Sequence, residues 1–191
     1  MEKEHKFCMC CGEDVTYNQV VRDGNLELTC VYCGFVLDVQ MEAGHSAASC
    51  ILTVDDSRMT REFLEKMLIK SGLAETVIPT ESGVDFLAAF SKRLAEKLPV
   101  DLAILDLEMP VMDGITVARA LRSIEEKYQT TQTPILLFSV KKCDDGLKQQ
   151  LGLFAPASYM NKGSSSDPAH LKKRIDKLVK YLLSKRHAAK T

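Results

Sequence analysis

An α/β fold is predicted for most of this chain: a five-stranded, doubly wound parallel sheet preceded by a small N-terminal β unit. Three observations carry that prediction. From Cys50 onward, short apolar runs alternate with stretches whose apolar residues recur at helical spacing. Two of those runs end in carboxylates, ILTVDDS (51 to 57) and LAILDLEMPVMDG (102 to 114). Five of the seven cysteines fall within residues 8 to 33, ahead of the alternating region.

The N-terminal unit, residues 1 to 40, is built around two matching knuckles, CMCCG (8 to 12) and CVYCG (30 to 34). Between them VTYNQVV reads as a strand, Asp23-Gly24 as a two-residue hairpin turn, and NLELTC as the return strand with Leu26, Leu28 and Cys30 alternating. Phe35, Leu37 and Val39 alternate again and give a third strand. Residues 41 to 49 are small and weakly patterned and read as a linker.

The second unit, 50 to 191, has strands near 50 to 54, 76 to 79, 101 to 106, 134 to 139 and 157 to 160. Phe63, Met67 and Leu68, then Phe86, Leu87, Phe90 and Leu94, then Leu121, Ile124 and Tyr128 mark intervening helices. The last helix starts near Asp167-Pro168, a cap and first-turn pair. Its stripe of Leu171, Ile175, Leu178, Val179, Leu182 and Leu183 faces the sheet. Its outer face carries Lys172, Lys173, Lys177, Lys180, Lys185 and Arg186 and reads as a solvated surface.

Composition bounds the function. A hydrophobic content of 46% over 191 residues is enough for a true core. The N-terminus MEKEHKFCMCCG lacks the apolar segment of a signal peptide, and no apolar run approaches the ~20 residues that cross a bilayer, so a cytoplasmic protein without membrane contact is expected. The overall charge of −1 hides an asymmetry: residues 1 to 49 hold three Lys/Arg against eight Asp/Glu, and the remainder 22 against 18. An N-terminal unit of charge −5 lacks the basic footprint of a nucleic-acid binder, so direct nucleic-acid binding is not expected. There is no P-loop, G-x-G-x-x-G or G-x-S-x-G.

Asp55, Asp56 and Asp106 each follow an apolar strand, and the first and third strands are neighbours in the commonest five-stranded doubly wound order. The three carboxylates would then meet at the topological switch point. At about 4 Å and an effective dielectric near 20, each pair of unit charges repels by roughly 4 kcal/mol, so the three would be strained unless a cation joined them. Mg²⁺ suits oxygen ligands of this kind and is normally held by one or two carboxylates together with a phosphoryl group. Ser139, ending PILLFS, and Lys162, ending SYMNK, arrive at the same edge.

The pair DD, then D-x-x-M-P-x-M-D-G, then Ser139, then Tyr159 three residues before Lys162, resembles the receiver domain of two-component response regulators, a flavodoxin-like fold, over about residues 50 to 187. The resemblance implies that Asp106 accepts a phosphoryl group from the phosphohistidine of a sensor histidine kinase or an Hpt protein. It implies that Asp56, Asp106 and the backbone carbonyl of Glu108 bind Mg²⁺ directly, with Asp55 acting through water. Ser139 would hydrogen-bond one phosphoryl oxygen and Lys162 would pair with another. Ser139 and Tyr159 would form a hydroxyl and aromatic switch, read by a downstream protein on the face of the fourth helix, fifth strand and fifth helix. No independent substrate turnover is expected. A phosphohydrolase with an aspartyl phosphate would normally carry D-x-D on its first strand, whereas Glu108 stands two residues after Asp106.

Val140 stands where the family commonly has a very small residue, and Gly163 where a proline usually follows the lysine. With Glu108 and Lys141 at the positions that tune water attack, slow self-dephosphorylation is predicted. The alternative is a non-phosphorylated, receiver-like adaptor whose N-terminal unit recruits a protein partner.

Cys8, Cys11, Cys30 and Cys33 offer four thiolates suited to tetrahedral Zn²⁺, and Gly12 and Gly34 permit the tight turns that bring amides to the sulfurs. Residues 6 to 40 resemble a zinc ribbon, too short to fold without a staple. Cys10 is a competing ligand or a reactive thiol. The unit is expected to act through protein contacts: on the basic last helix of the same chain, on a kinase or target protein, or as a redox sensor.

Overall fold

The computed structural model of the chain describes residues 5–8, 11, 13–22, 25–32, 35–40, 47–141, 144–162 and 168–188. The N-terminal unit holds β1 (Lys6–Cys8), β2 (Glu13–Val15), β3 (Tyr17–Arg22), β4 (Asn25–Cys30) and β5 (Val36–Gln40). The larger unit follows as β6 (Ala48–Val54), α1 (Arg58–Lys70), β7 (Ala74–Thr80), α2 (Gly83–Ala95), β8 (Leu102–Leu105), α3 (Gly114–Lys127), β9 (Ile135–Ser139), α4 (Asp145–Leu153), β10 (Ala157–Asn161) and α5 (Pro168–Ala188).

The larger sheet is parallel throughout, in the order β10-β9-β8-β6-β7, the doubly wound order predicted. Its central strands β6, β8 and β9 are largely apolar on both faces because both are covered. Ile51, Leu102, Ile104, Leu136, Phe138 and Met160 meet α1 and α5 on one side. Leu52, Val54, Ala103, Leu105, Ile135, Leu137 and Tyr159 meet α2, α3 and α4 on the other. The period of two along each strand therefore divides one sheet between two cores. Caps set the helix starts: Ser57, Ser82, Asp113 and Asp144 each accept a backbone N–H from the first turn. Tyr128, the last of the residues at helical spacing in this stretch, caps the end of α3 and is 43% exposed. β6 begins at Ala48, inside the predicted linker; residues 41–46 lie outside the described residues.

The N-terminal unit has two ladders. β3, β4 and β5 form an antiparallel sheet in which Arg22 faces Asn25; Asp23 and Gly24, read as the turn, lie outside the described residues. The run read as one strand from Val15 is broken at Thr16, and its first residue, Val15, instead ends β2, which pairs with β1. The core of this unit is small: Cys8, Val15 and Cys30, with Cys11, Phe35 and Leu37 packed against them. Glu27 and Thr29, on the face of β4 opposite Leu28 and Cys30, are buried too, and the Tyr181 hydroxyl on α5 donates to Glu27 Oε1 at 3.1 Å. On the basic face of α5, Lys172, Lys173 and Lys177 are all exposed, as a solvated surface requires, and Lys177 in addition pairs with Asp38 of β5 at 3.1 Å. Among the described residues no helix is long and apolar enough to cross a membrane.

Candidate functional site

Adjacency of β6 and β8 brings their carboxyl ends side by side. Val54 is in register with Leu105, so Asp55 and Asp106 emerge level, and the Asp106 N–H donates to the Val54 carbonyl at 2.9 Å. Asp55 and Asp106 are buried, at 1% and 6% exposure, while Asp56 points to solvent. Carboxylate oxygens of all three lie within 4.8 Å of one another. Such a set of oxygen donors at a sheet edge fits a hard divalent cation.

Lys162 follows β10, and its backbone N–H donates to the Ser139 carbonyl at 2.7 Å. Its ammonium bridges the buried pair, 2.6 Å from Asp55 Oδ2 and 2.8 Å from Asp106 Oδ2, and stands 5.4 Å from the Phe138 ring centroid. The other oxygens are met by backbone: Ser57 N–H donates to Asp55 Oδ1 at 3.0 Å and Glu108 N–H to Asp106 Oδ1 at 3.3 Å. Burial pushes the Asp106 carboxyl above the usual carboxylate range. The Lys162 ammonium pulls against it, the Asp55 charge adds to the rise, and the Glu108 N–H opposes it.

The loop after β8 is closed onto the site by Gly114. A Cβ there would collide with the Asp106 backbone carbonyl, so the final glycine of D-x-x-M-P-x-M-D-G is a steric requirement. Asp113 caps α3 by accepting the Thr116 N–H at 2.7 Å.

Ser139 is buried, and its Oγ accepts the Lys141 N–H at 3.2 Å. Tyr159 is fully buried, its hydroxyl donating to the Lys141 carbonyl. Val140 stands outward at 64% exposure. Two residues that the sequence reading passed over also hold the site. Arg61, on the first turn of α1, donates to the carbonyls of Asp55 (2.8 Å) and Asp56 (3.0 Å), fixing the acidic pair. Asn161 Nδ2 donates to the carbonyls of Val140 (3.1 Å) and Lys141 (2.9 Å), tying the end of β10 to the loop after β9. Arg61 sits four residues after the Ser57 cap, a weak sequence cue, and Asn161 precedes the lysine, but neither residue type signals such a bond.

In the N-terminal unit, sulfurs of Cys8, Cys11 and Cys30 lie within 4.8 Å of one another. Cys11 and Cys30 Sγ are 3.8 Å apart, and the N–H groups of Cys11 and Tyr32 donate to Cys8 and Cys30 Sγ at 3.4 Å each. Cys33 and Cys10 lie outside the described residues, as do Gly12 and Gly34.

A five-stranded parallel sheet carrying a buried aspartate, an acidic neighbour and a bridging lysine at its carboxyl edge defines a receiver-type phosphorelay module. Residues 51–176 match the model of the response regulator receiver domain, and the chain belongs to that family. It is 33% identical over 116 residues to a protein-glutamate methylesterase/protein-glutamine glutaminase of Koribacter versatilis, covering 60% of this chain and 30% of the relative. It is 33% identical over 97 residues to the histidine kinase CKI1 of Arabidopsis thaliana, covering 47% of this chain and 8% of the kinase. It is 36% identical over 91 residues to protein PetR of Rhodobacter capsulatus, covering 48% of this chain and 33% of the relative. The chain thus spans a third or less of the length of these curated relatives. Among solved structures, the receiver domain of CKI1 complexed with Mg²⁺ and BeF₃⁻ is similar at a TM-score of 0.56 and 25% identity, over 69% of this chain and 91% of that one. Chemotaxis protein CheY4 of Vibrio cholerae is similar at 0.52 and 26%, over 68% and 98%.

Proposed function

We propose that this protein is a phosphorelay response regulator that takes a phosphoryl group from the phosphohistidine of a sensor histidine kinase or Hpt protein onto Asp106. The observation that carries the reading is Lys162 Nζ bridging Asp55 and Asp106 at 2.6 and 2.8 Å, a buried charge cluster that packing alone does not require. In the transfer, the P–N bond of the phosphohistidine breaks and a P–O bond to an Asp106 carboxylate oxygen forms. The leaving imidazole takes a proton from solvent. Phosphoryl transfer asks mainly for in-line positioning and neutralisation of the equatorial oxygens. Lys162 supplies one cation, and the Ser139 hydroxyl, freed from the Lys141 N–H, supplies a donor for another oxygen.

Asp56, Asp106 and the Glu108 carbonyl would hold Mg²⁺ directly, with Asp55 acting through water. When bound, the ion neutralises charge on the attacking carboxylate and the phosphoryl oxygens. Ser139 and Tyr159 form the switch: both are bonded to Lys141, so recruitment of Ser139 by the phosphoryl group acts on the same short loop that the Tyr159 hydroxyl holds. The downstream partner is a protein met on the face of α4, β10 and α5 or on the N-terminal unit. Cys8, Cys11 and Cys30, with Cys33, would bind Zn²⁺ there, and support comes from the clustered sulfurs and the amides aimed at them. No independent substrate turnover is assigned to the region described.

The test is incubation of the full chain with acetyl phosphate and Mg²⁺, followed by intact mass. A phosphoryl adduct in wild type that disappears in Asp106→Asn is the expected result. A wild-type chain that takes up no phosphoryl group would leave the protein-recruiting adaptor as the better account.

A further inference from the structure

Helix α5 lies between the two units, and one side chain on it touches both. Arg174 Nη2 donates to the Asn161 backbone carbonyl at 2.8 Å, and its guanidinium carbon lies 5.4 Å from the centroid of the Phe7 ring on β1. Asn161 is the last residue of β10; the next is Lys162, whose ammonium bridges Asp55 and Asp106. The side chain of Asn161 meanwhile holds the Val140 and Lys141 carbonyls, the loop that also binds Ser139 Oγ and the Tyr159 hydroxyl. The peptide held by Arg174 therefore adjoins both the lysine and the switch loop.

Arg174 is an unusual residue for a merely solvated helix face. Its Nε is buried and makes no hydrogen bond among the described residues, and burial lowers the guanidinium from its ordinary value. Among the described residues this desolvated cation meets a neutral carbonyl and an aromatic face, both weaker partners than a carboxylate, and the aromatic face comes from the N-terminal unit. Other links between the units among the described residues include Asp38 with Lys177 at 3.1 Å, Glu27 with Tyr181 at 3.1 Å, and Phe35, which packs against the cores of the larger sheet. The two polar links lie further along α5 than Arg174.

We propose that Arg174 is a positioning residue through which the N-terminal unit, by way of Phe7, sets the placement of Lys162 and so the rate at which Asp106 is phosphorylated. The chain's own N-terminal unit is the occupant of this part of α5. By linkage, a docked unit that favours the phosphorylated arrangement is itself held more tightly once Asp106 is modified. The rate half of the proposal rests on Asp106 being the phosphoacceptor; the placement of Lys162 does not.

Two readouts on the full chain separate these halves. One is the phosphorylation rate across a range of acetyl phosphate concentrations with Mg²⁺, giving a saturating rate and a half-saturating concentration. The other, without phosphodonor, is the rate at which a small amine-acylating reagent modifies Lys162, read by peptide mass spectrometry against Lys66 as an internal reference. Arg174→Gln is expected to lower the saturating rate about tenfold while the half-saturating concentration stays within about twofold, and to raise Lys162 acylation about fivefold. Phe7→Leu, which keeps apolar bulk but removes the ring, should move both readouts about threefold in the same directions, and the double variant should go no further than Arg174→Gln alone. Lys177→Ala, which cuts a neighbouring link of the same interface, should stay within about twofold of wild type. Where Arg174→Gln fails to fold, Arg174→Lys with Phe7→Leu carries the same cycle. Unchanged Lys162 reactivity in Phe7→Leu, or effects of the two substitutions that simply multiply, would overturn the proposal. Absence of any phosphoryl adduct alongside the expected Lys162 pattern would sink the assignment of Asp106 and leave the coupling standing.

Discussion

The acidic cluster at the end of the large sheet and the cysteine cluster in the N-terminal unit are both sets of groups able to ligate a metal, held close together, yet they rest on very different supports. Asp55 and Asp106 stand on two central strands with a core on either face of the sheet. Lys162 and backbone N–H groups meet their charge. Cys8 and Cys30, with Val15, form the buried apolar cluster of their unit among the described residues, and Cys11 packs against it. A large core can hold strained polar groups in place without a ligand, whereas a unit of this size must gain its folding free energy from the ligand or from docking. The two sites should therefore respond oppositely to loss of the ions proposed for them.

The largest effect expected is on the cysteine side. Cys30→Ser, or a strong zinc chelator, should unfold residues 6 to 40, because structural zinc contributes on the order of 10 kcal/mol in peptides of this kind. Zinc content by plasma mass spectrometry and hydrogen exchange by segment would report it, with the amides of β8 and β9 staying protected. Loss of protection throughout the chain would mean that the two supports are one. Next comes Gly114→Ala, which drives a methyl group into the Asp106 carbonyl. It should destabilise the larger unit by about 3 kcal/mol in denaturant unfolding, since backbone rather than a flexible side chain must move.

Lys162→Met tests how much of the acidic site depends on its own cation. Removing the ammonium takes away a partner for the phosphoryl oxygens, and the phosphorylation rate should fall by about 10²-fold, or roughly 2.7 kcal/mol. It also removes the group that shares Asp55 Oδ2 and Asp106 Oδ2 with an entering ion. Mg²⁺ should therefore bind several-fold tighter by calorimetry, a rise of about 1 kcal/mol in binding. Equal losses of rate and of Mg²⁺ affinity would indicate a collapsed site.

The smallest effect is at the junction of the units. Burial works against ionised Asp38, but the ammonium groups of Lys6 and Lys177 outweigh it and hold the carboxyl below its ordinary value. Because the folded value lies below the unfolded one of about 3.9, the pairing stabilises above about pH 4 and is lost as pH falls through the depressed value. Asp38→Asn should cost about 0.5–1 kcal/mol at neutral pH, less in high salt, and nothing once the wild-type carboxyl is protonated. A cost that persists at low pH would point to packing rather than charge.

Much of the acidic site was legible because its signals are local. A carboxylate after an apolar strand, a D-x-x-M-P-x-M-D-G turn and a lysine three residues beyond an aromatic each depend on a few consecutive positions, and alternation of strands with helical spacing fixes the order in which they meet. The division of the sheet between two cores followed from the same period of two. Other features were not legible, because they depend on pairs distant in the chain. Whether Glu27 is solvated or buried against Tyr181 is decided by residues 154 apart. Which basic groups of α5 find carboxylates depends on where a separate ladder docks, and so does the partner of Arg174. Local spacing determined the sheet, its edge and the identity of the groups gathered there. Only the tertiary structure decided that the small acidic unit lies along α5, because that contact is a balance of desolvation, charge and shape between surfaces that no repeat in either segment encodes.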